Sequence, residues 1–143
     1  MTFVVSFTVD GSPHGKGRPR FRRFGKFVTT YTDAKTKSYE TLVKEAAKQA
    51  MADHPPIEGP VKLDCTIRLS VPKSYPKKRL EACLSGSEWP TKKPDWDNVA
   101  KSVADAMNDV VFLDDTQIVI ARIVKRYSVE AGVDVRVSEV LDD

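Results

Sequence analysis

Histidine and cysteine are scarce in this chain of 143 residues, which has two of each. Cys65 and Cys83 form no CxxC pair, and together with His14 and His54 they make a poor zinc set. Both cysteines read as reduced thiols, Cys65 as part of a core. The sequence has no HExxH, and Gly15-Lys16-Gly17 lacks the GxxxxGK[ST] spacing of a phosphate-binding loop, so zinc-hydrolase and P-loop kinase chemistries fall away. No apolar run approaches the roughly 20 residues that cross a bilayer, and the opening MTFVVSFTVD has no basic lead before a longer hydrophobic stretch. The expectation is a cytoplasmic protein with no membrane partner.

Internal repeats, low-complexity tracts and linkers are also missing. With 41% hydrophobic and 30% charged residues, the composition is that of an ordinary globular protein, and the length suits a single domain over residues 1–143. One site is therefore expected.

The net charge of +3 is small but unevenly placed. Lys16, Arg18, Arg20, Arg22, Arg23 and Lys26 crowd one segment, where Gly11, Pro13, Gly15, Gly17 and Pro19 interrupt regular structure, so this basic arm is expected on a loop. Phe21, Phe24 and Phe27 are interleaved with the cations, which suits phosphate contact and packing of rings on a core or an exposed base. A second basic group, including Arg79, Lys92 and Lys93, precedes an acidic stretch.

Hydrophobic periodicity gives the elements. Thr2–Val9 and Phe27–Tyr31 read as strands; Thr32-Asp33 can cap a helix with apolar positions Tyr39, Leu42, Val43, Ala46, Ala47, Ala50 and Met51. Val61–Val71 alternates as a strand with one wet face. The stretch Pro72–Pro94 has room for a short helix near Lys77–Leu84. A second main helix is expected from Asp97 to about Asn108, burying Val99, Val103, Ala106 and Met107. Gln117–Tyr127 and Val133–Val140 read as a hairpin across Ser128–Gly132.

The acidic stretch carries the chemistry. KPDWDNVAKSVADAMNDVVFLDD holds Asp95, Asp97, Asp105, Asp109, Asp114 and Asp115. Asp97, Lys101 and Asp105 recur every fourth residue and share one helical stripe, with Asn98 beside the first and Asp95 just ahead of the helix. The chain after Leu113 can turn back to bring Asp114 or Asp115 beside them. Clustered carboxylates repel one another unless a cation neutralises them, and Mg²⁺, with Mn²⁺ as its substitute, suits oxygen ligands and phosphate. Such an ion would support phosphodiester hydrolysis, with Lys101 offsetting transition-state charge. Each acid also has a plain structural explanation: Asp97 as a helix cap, Asp114-Asp115 as a turn. An EF-hand is excluded, since Ala100 and Ala106 stand where its Gly and Glu belong.

KPDWDNVAK followed by DD-x-Q-I resembles the signature of the RusA family of Holliday-junction resolvases, common in phages and prophages. GSPHGKGRPRF and Thr32–Glu40 are similar to the family's N-terminal half, so the resemblance spans most of the chain. It implies an α+β fold, a small mixed β-sheet with two main helices packed on it, forming a two-fold homodimer. It also implies Mg²⁺-dependent resolution of four-way DNA junctions by paired symmetric nicks. Asp95, Asp97 and Asp115, with Asp114 as the alternative, would be the metal-binding carboxylates, and Lys101 the essential lysine. Asn98 matches the DN step, and with the basic arm and Lys92 and Lys93 it is expected to contact DNA. The arm is more basic than in the family's best-known member, which leaves the cleavage sequence open. Two rivals stand beside this reading. One is a non-catalytic branched-DNA-binding protein, insensitive to metal; the other is a PD-(D/E)xK nuclease, for which no D/E-x-K follows Asp95.

Overall fold

The computed structural model describes the backbone of residues 2–15, 20–24, 27–31 and 34–141, and the side chains of residues 2–15 and 38–141. Its elements are β1 (Val4–Asp10), β2 (Arg20–Phe24), β3 (Phe27–Tyr31), α1 (Ala34–Met51), β4 (Val61–Ser70), α2 (Lys77–Ser85), α3 (Trp96–Met107), a 3-10 turn (Asp115–Gln117), β5 (Ile118–Ser128) and β6 (Gly132–Glu139). The architecture is α+β: a mixed sheet in the order β1-β6-β4-β5 with helices packed against it, and a separate β2-β3 ribbon.

The alternation of β4 makes it the centre of the sheet. Val61, Leu63, Cys65 and Ile67 are all but fully buried, and Val133, Val135 and Val137 of β6 and Val5 and Val9 of β1 continue the same face. Tyr39, Val43, Ala47 and Met51 of α1 and Val99, Val103, Ala106 and Met107 of α3 close over it. Leu42 and Ala50, expected on the buried side of α1, are exposed, because the stripe that meets the sheet and α3 is the strict four-residue row. Across the wet face, the Arg68 guanidinium forks onto Asp134 of β6 through Nε (2.9 Å) and Nη2 (3.2 Å). Thr8 of β1 donates to the same carboxylate at 2.9 Å, so three strands share one polar knot.

Two expectations are corrected here. β5 and β6 are not a hairpin: both pair with β4, β5 in parallel and β6 antiparallel, so β4 lies between them. The link between them passes the end of β4, where Arg68 Nη1 donates to the carbonyl of Glu130 at 2.8 Å. Alternation specifies a strand's buried face and leaves its partner open, and the long apolar β4 outcompetes the local pairing. The basic arm is not wholly a loop either. Arg20, Arg22 and Arg23 lie in β2, which pairs with β3 in the register Arg20↔Tyr31 to Phe24↔Phe27. The overlooked signal is the Gly25-Lys26 pair between two aromatic runs, a two-residue hairpin composition. Lys16, Arg18 and Lys26 lie outside the described residues.

Candidate active site

α3 begins one residue earlier than its pattern predicts. Trp96 is its first residue and Asp95 its N-cap, with no side-chain capping bond. Asp97 falls in the first turn, so neither aspartate acts as a side-chain cap. Both are exposed at a helix N-terminus, where the backbone dipole favours anions. The apolar face of α3 is buried to the last residue, which holds its polar stripe at a fixed angle to the sheet.

One turn on, Lys101 joins two elements. Its Nζ lies 3.1 Å from Asp105 Oδ1, four residues along the helix, and 3.6 Å from Asp115 Oδ2 in the turn before β5. Asp97, Lys101 and Asp115 line one groove, floored by Leu63, Ala104 and Ile123. Asp105 and Asp115 are mostly covered while Lys101 is exposed, so the ammonium can exchange partners where the carboxylates cannot.

The adjacent aspartates 114 and 115 differ in what they do. Asp114 Oδ2 accepts from Thr116 Oγ1 at 2.6 Å and from Thr116 N at 3.3 Å. The Thr116 hydroxyl, then its backbone N–H, holds the Asp114 carboxyl below the usual carboxylate range. Asp114 thus caps the 3-10 turn, and Asp115 faces Lys101. Gln117 completes the reciprocal cap, its Oε1 accepting from Asp114 N at 2.9 Å and from Leu113 N at 2.8 Å. Its Nε2 donates to the carbonyls of Ile57 (2.8 Å) and Gly59 (2.9 Å). Gln117 was not among the expected site residues, although Asp114-Asp115-Thr116-Gln117 carries the spacing of a capping box.

Asp95 opens onto a neighbouring depression with His14, Lys93 and Asn98. There the N-terminal segment presses on α3: a Cβ on Gly15 would stand 2.9 Å from Asn98 Cβ, so only glycine lets the backbone come this close. The basic arm thus departs, in sequence, from a point in contact with Asn98. Lys92 donates to Tyr75 Oη at 3.3 Å, and Lys125 Nζ donates to the Lys92 carbonyl at 2.6 Å. Among the described residues no three His, Cys, Asp or Glu side chains are gathered closely enough to hold a metal ion unaided. Two carboxylates share the groove, and Asp95 flanks it. No described helix is long and apolar enough to cross a membrane.

A family model for the endodeoxyribonuclease RusA matches residues 10–138 of this chain. The uncharacterized protein YqaN of Bacillus subtilis (strain 168) is 40% identical over 142 residues, which cover 95% of this chain and 96% of that protein. The matched region contains the basic arm, α3 and the turn that carries Asp115. Membership implies a branched DNA substrate, Holliday-junction resolution and the divalent-metal requirement general to such resolvases. The chain belongs to the RusA family and is an endodeoxyribonuclease.

Proposed function

We propose that this protein makes paired symmetric nicks in four-way DNA junctions, with Mg²⁺, or Mn²⁺ in its place, held by Asp97, Asp115 and Asp95. The observation that carries the reading is the bridge from Lys101 to Asp115, in the same groove as Asp97. The donor set fits the ion: Mg²⁺ usually binds through one or two carboxylates, keeps several waters and completes its shell with phosphate oxygens. When bound it would supply Lewis-acid polarisation of the scissile phosphate and a water of lowered pKa.

The chain's own residues have separate tasks. Asp97 and Asp115 concentrate negative charge in the groove, and Lys101 offsets it until substrate enters. Lys101 is then placed to meet charge developing on the phosphate. Asn98, Lys92, Lys93 and the arm residues Lys16, Arg18, Arg20, Arg22, Arg23 and Lys26 grip the DNA backbone, a contribution that falls steeply with salt. The DNA it acts on places the protein in the cytoplasm of a bacterial or phage-infected cell.

A homodimer suits this task, since two symmetric nicks need two sites related by a two-fold axis. β5 is an edge strand, Val119 and Ile120 on it are 60% and 47% exposed, and their neighbours Ile118 and Ala121 line the groove with the exposed Trp96. The register shift at Val61/Lys62 leaves Val119 out of the ladder. A second copy seated on this edge would cover the apolar surface and set two grooves side by side. Val119→Lys is expected to shift the protein from dimer to monomer in light scattering at micromolar concentration. An unchanged mass would remove this face from consideration.

The reading is tested with a labelled synthetic four-way junction and a matched linear duplex, incubated with Mg²⁺ or EDTA. Paired nicks confined to the junction and abolished by EDTA are expected. Tight junction binding with no cleavage under any divalent metal would overturn the catalytic assignment.

A further inference from the structure

The depression that holds Asp95 shares no lining residue with the Lys101 groove. Through Pro13, Lys93 and Pro94 it joins a second hollow that includes Lys92 and Tyr127, and through Tyr127 a third, which ends at Trp89 and Arg126. Cations and aromatic rings therefore line a trough of three adjacent hollows, linked by shared lining residues, the first of which includes a proposed metal-binding carboxylate.

Two aromatic centres differ here: Tyr75, which bonds Lys92 but does not line the hollows, and Trp89, which does. Tyr75 is already engaged: the Arg79 guanidinium lies 3.7 Å from its ring centre, and its hydroxyl accepts from Lys92 Nζ. Trp89 is 55% exposed, with the Arg126 guanidinium 5.9 Å from its ring centre. Its backbone is nonetheless firmly held. Gly86 caps α2 in the left-handed region, and the N–H groups of Ser87 and Glu88 both donate to the Ala82 carbonyl, at 2.9 and 3.0 Å. Arg79 Nε binds the Glu88 carboxylate at 3.1 Å, and Pro90 on the other side is buried. An indole held on a rigid turn, exposed, and flanked by a guanidinium is the arrangement on which an unstacked nucleobase packs, with neighbouring lysines on the phosphates.

We infer that Trp89, with Arg126, is a stacking platform for an unpaired base at the branch of the DNA, and that the trough with Lys92 and Lys93 guides that strand toward Asp95. This rests on the four-way-junction reading above. The platform would make the protein sense the branch itself, since a continuous duplex offers no unstacked base.

The test is fluorescence anisotropy in EDTA, which prevents cutting, with the full-length protein. The ligands are a four-way junction, the same junction with abasic sites in place of the branch bases, and a linear duplex. Trp89→Ala is expected to weaken junction binding by on the order of tenfold and to leave duplex binding and the thermal midpoint unchanged, with Trp89→Phe keeping most of the affinity. The abasic junction should bind wild type about as weakly, and Trp89→Ala should add no further loss on it. Equal losses on junction and duplex, no loss on either, or additive losses on the abasic junction would overturn the platform. Wild type failing to prefer junction over duplex would instead overturn the underlying reading and the platform with it.

Discussion

Asp97→Asn will lower junction cleavage by on the order of a thousandfold while leaving junction binding intact. The substitution is nearly isosteric and removes one negative charge from the groove. Asp97 is exposed and stands in the first turn of α3, past the N-cap Asp95, so little of the fold depends on it. The cost to the helix is confined to its favourable place at the N-terminus, and the thermal midpoint should stay within about 4 °C of wild type. Asp114→Asn is the internal control. Its carboxylate is spent on Thr116, so it should disturb the turn and cut far less deeply into the rate. Single-turnover cleavage at saturating protein, with anisotropy in EDTA alongside, separates chemistry from binding. Asp97→Asn cutting within about tenfold of wild type would remove Asp97 from the metal-binding set.

Much of this site is legible in sequence because α3 is. Val99, Val103, Ala106 and Met107 mark the buried stripe so clearly that the opposite stripe, Asp97-Lys101-Asp105, follows from geometry alone. What lies beyond the helix is harder. Asp114 and Asp115 are chemically identical neighbours, and only the hydrogen bonds of Thr116 and Gln117 decide which is committed to the turn. Strand partnership is harder still. β5 alternates and is followed by a short polar link and another strand, a hairpin by every local rule, yet its partner is β4, whose paired residues lie 57 or 58 positions earlier in the chain. The parallel β4-β5 pair needs a long crossover, and α2 and α3 lie in that crossover. The misplaced strand and the placement of Asp115 are thus one problem: pairing β5 with β4 sets the turn before β5 beside α3.

Gln117→Ala is expected to damage both stability and rate, although Gln117 touches none of the proposed chemistry. Its side chain makes four hydrogen bonds, two accepted from Leu113 and Asp114 and two donated to Ile57 and Gly59, all between 2.8 and 2.9 Å. At about 0.5–1.5 kcal/mol net for each bond, the loss should be about 2–6 kcal/mol, lowering the thermal midpoint by roughly 5–25 °C. The segment it ties down is already anchored from below. Ile57 N donates to the Val111 carbonyl at 2.8 Å, and Phe112 is completely buried, so the chain should remain folded at room temperature. What loosens is the turn above, and with it Asp115. A displacement of about 1 Å at a reacting centre costs roughly a hundredfold in rate. As a positioning residue, Gln117 should also raise the Mg²⁺ concentration for half-maximal cleavage, so that excess metal restores part of the rate to Gln117→Ala and none to Asp97→Asn. Gln117→Glu keeps both accepted bonds but sets a carboxylate oxygen against two carbonyls, and it should fall below alanine in thermal midpoint. A rate loss at Gln117 with an unshifted Mg²⁺ requirement would mean that the turn supports the fold without setting the position of Asp115.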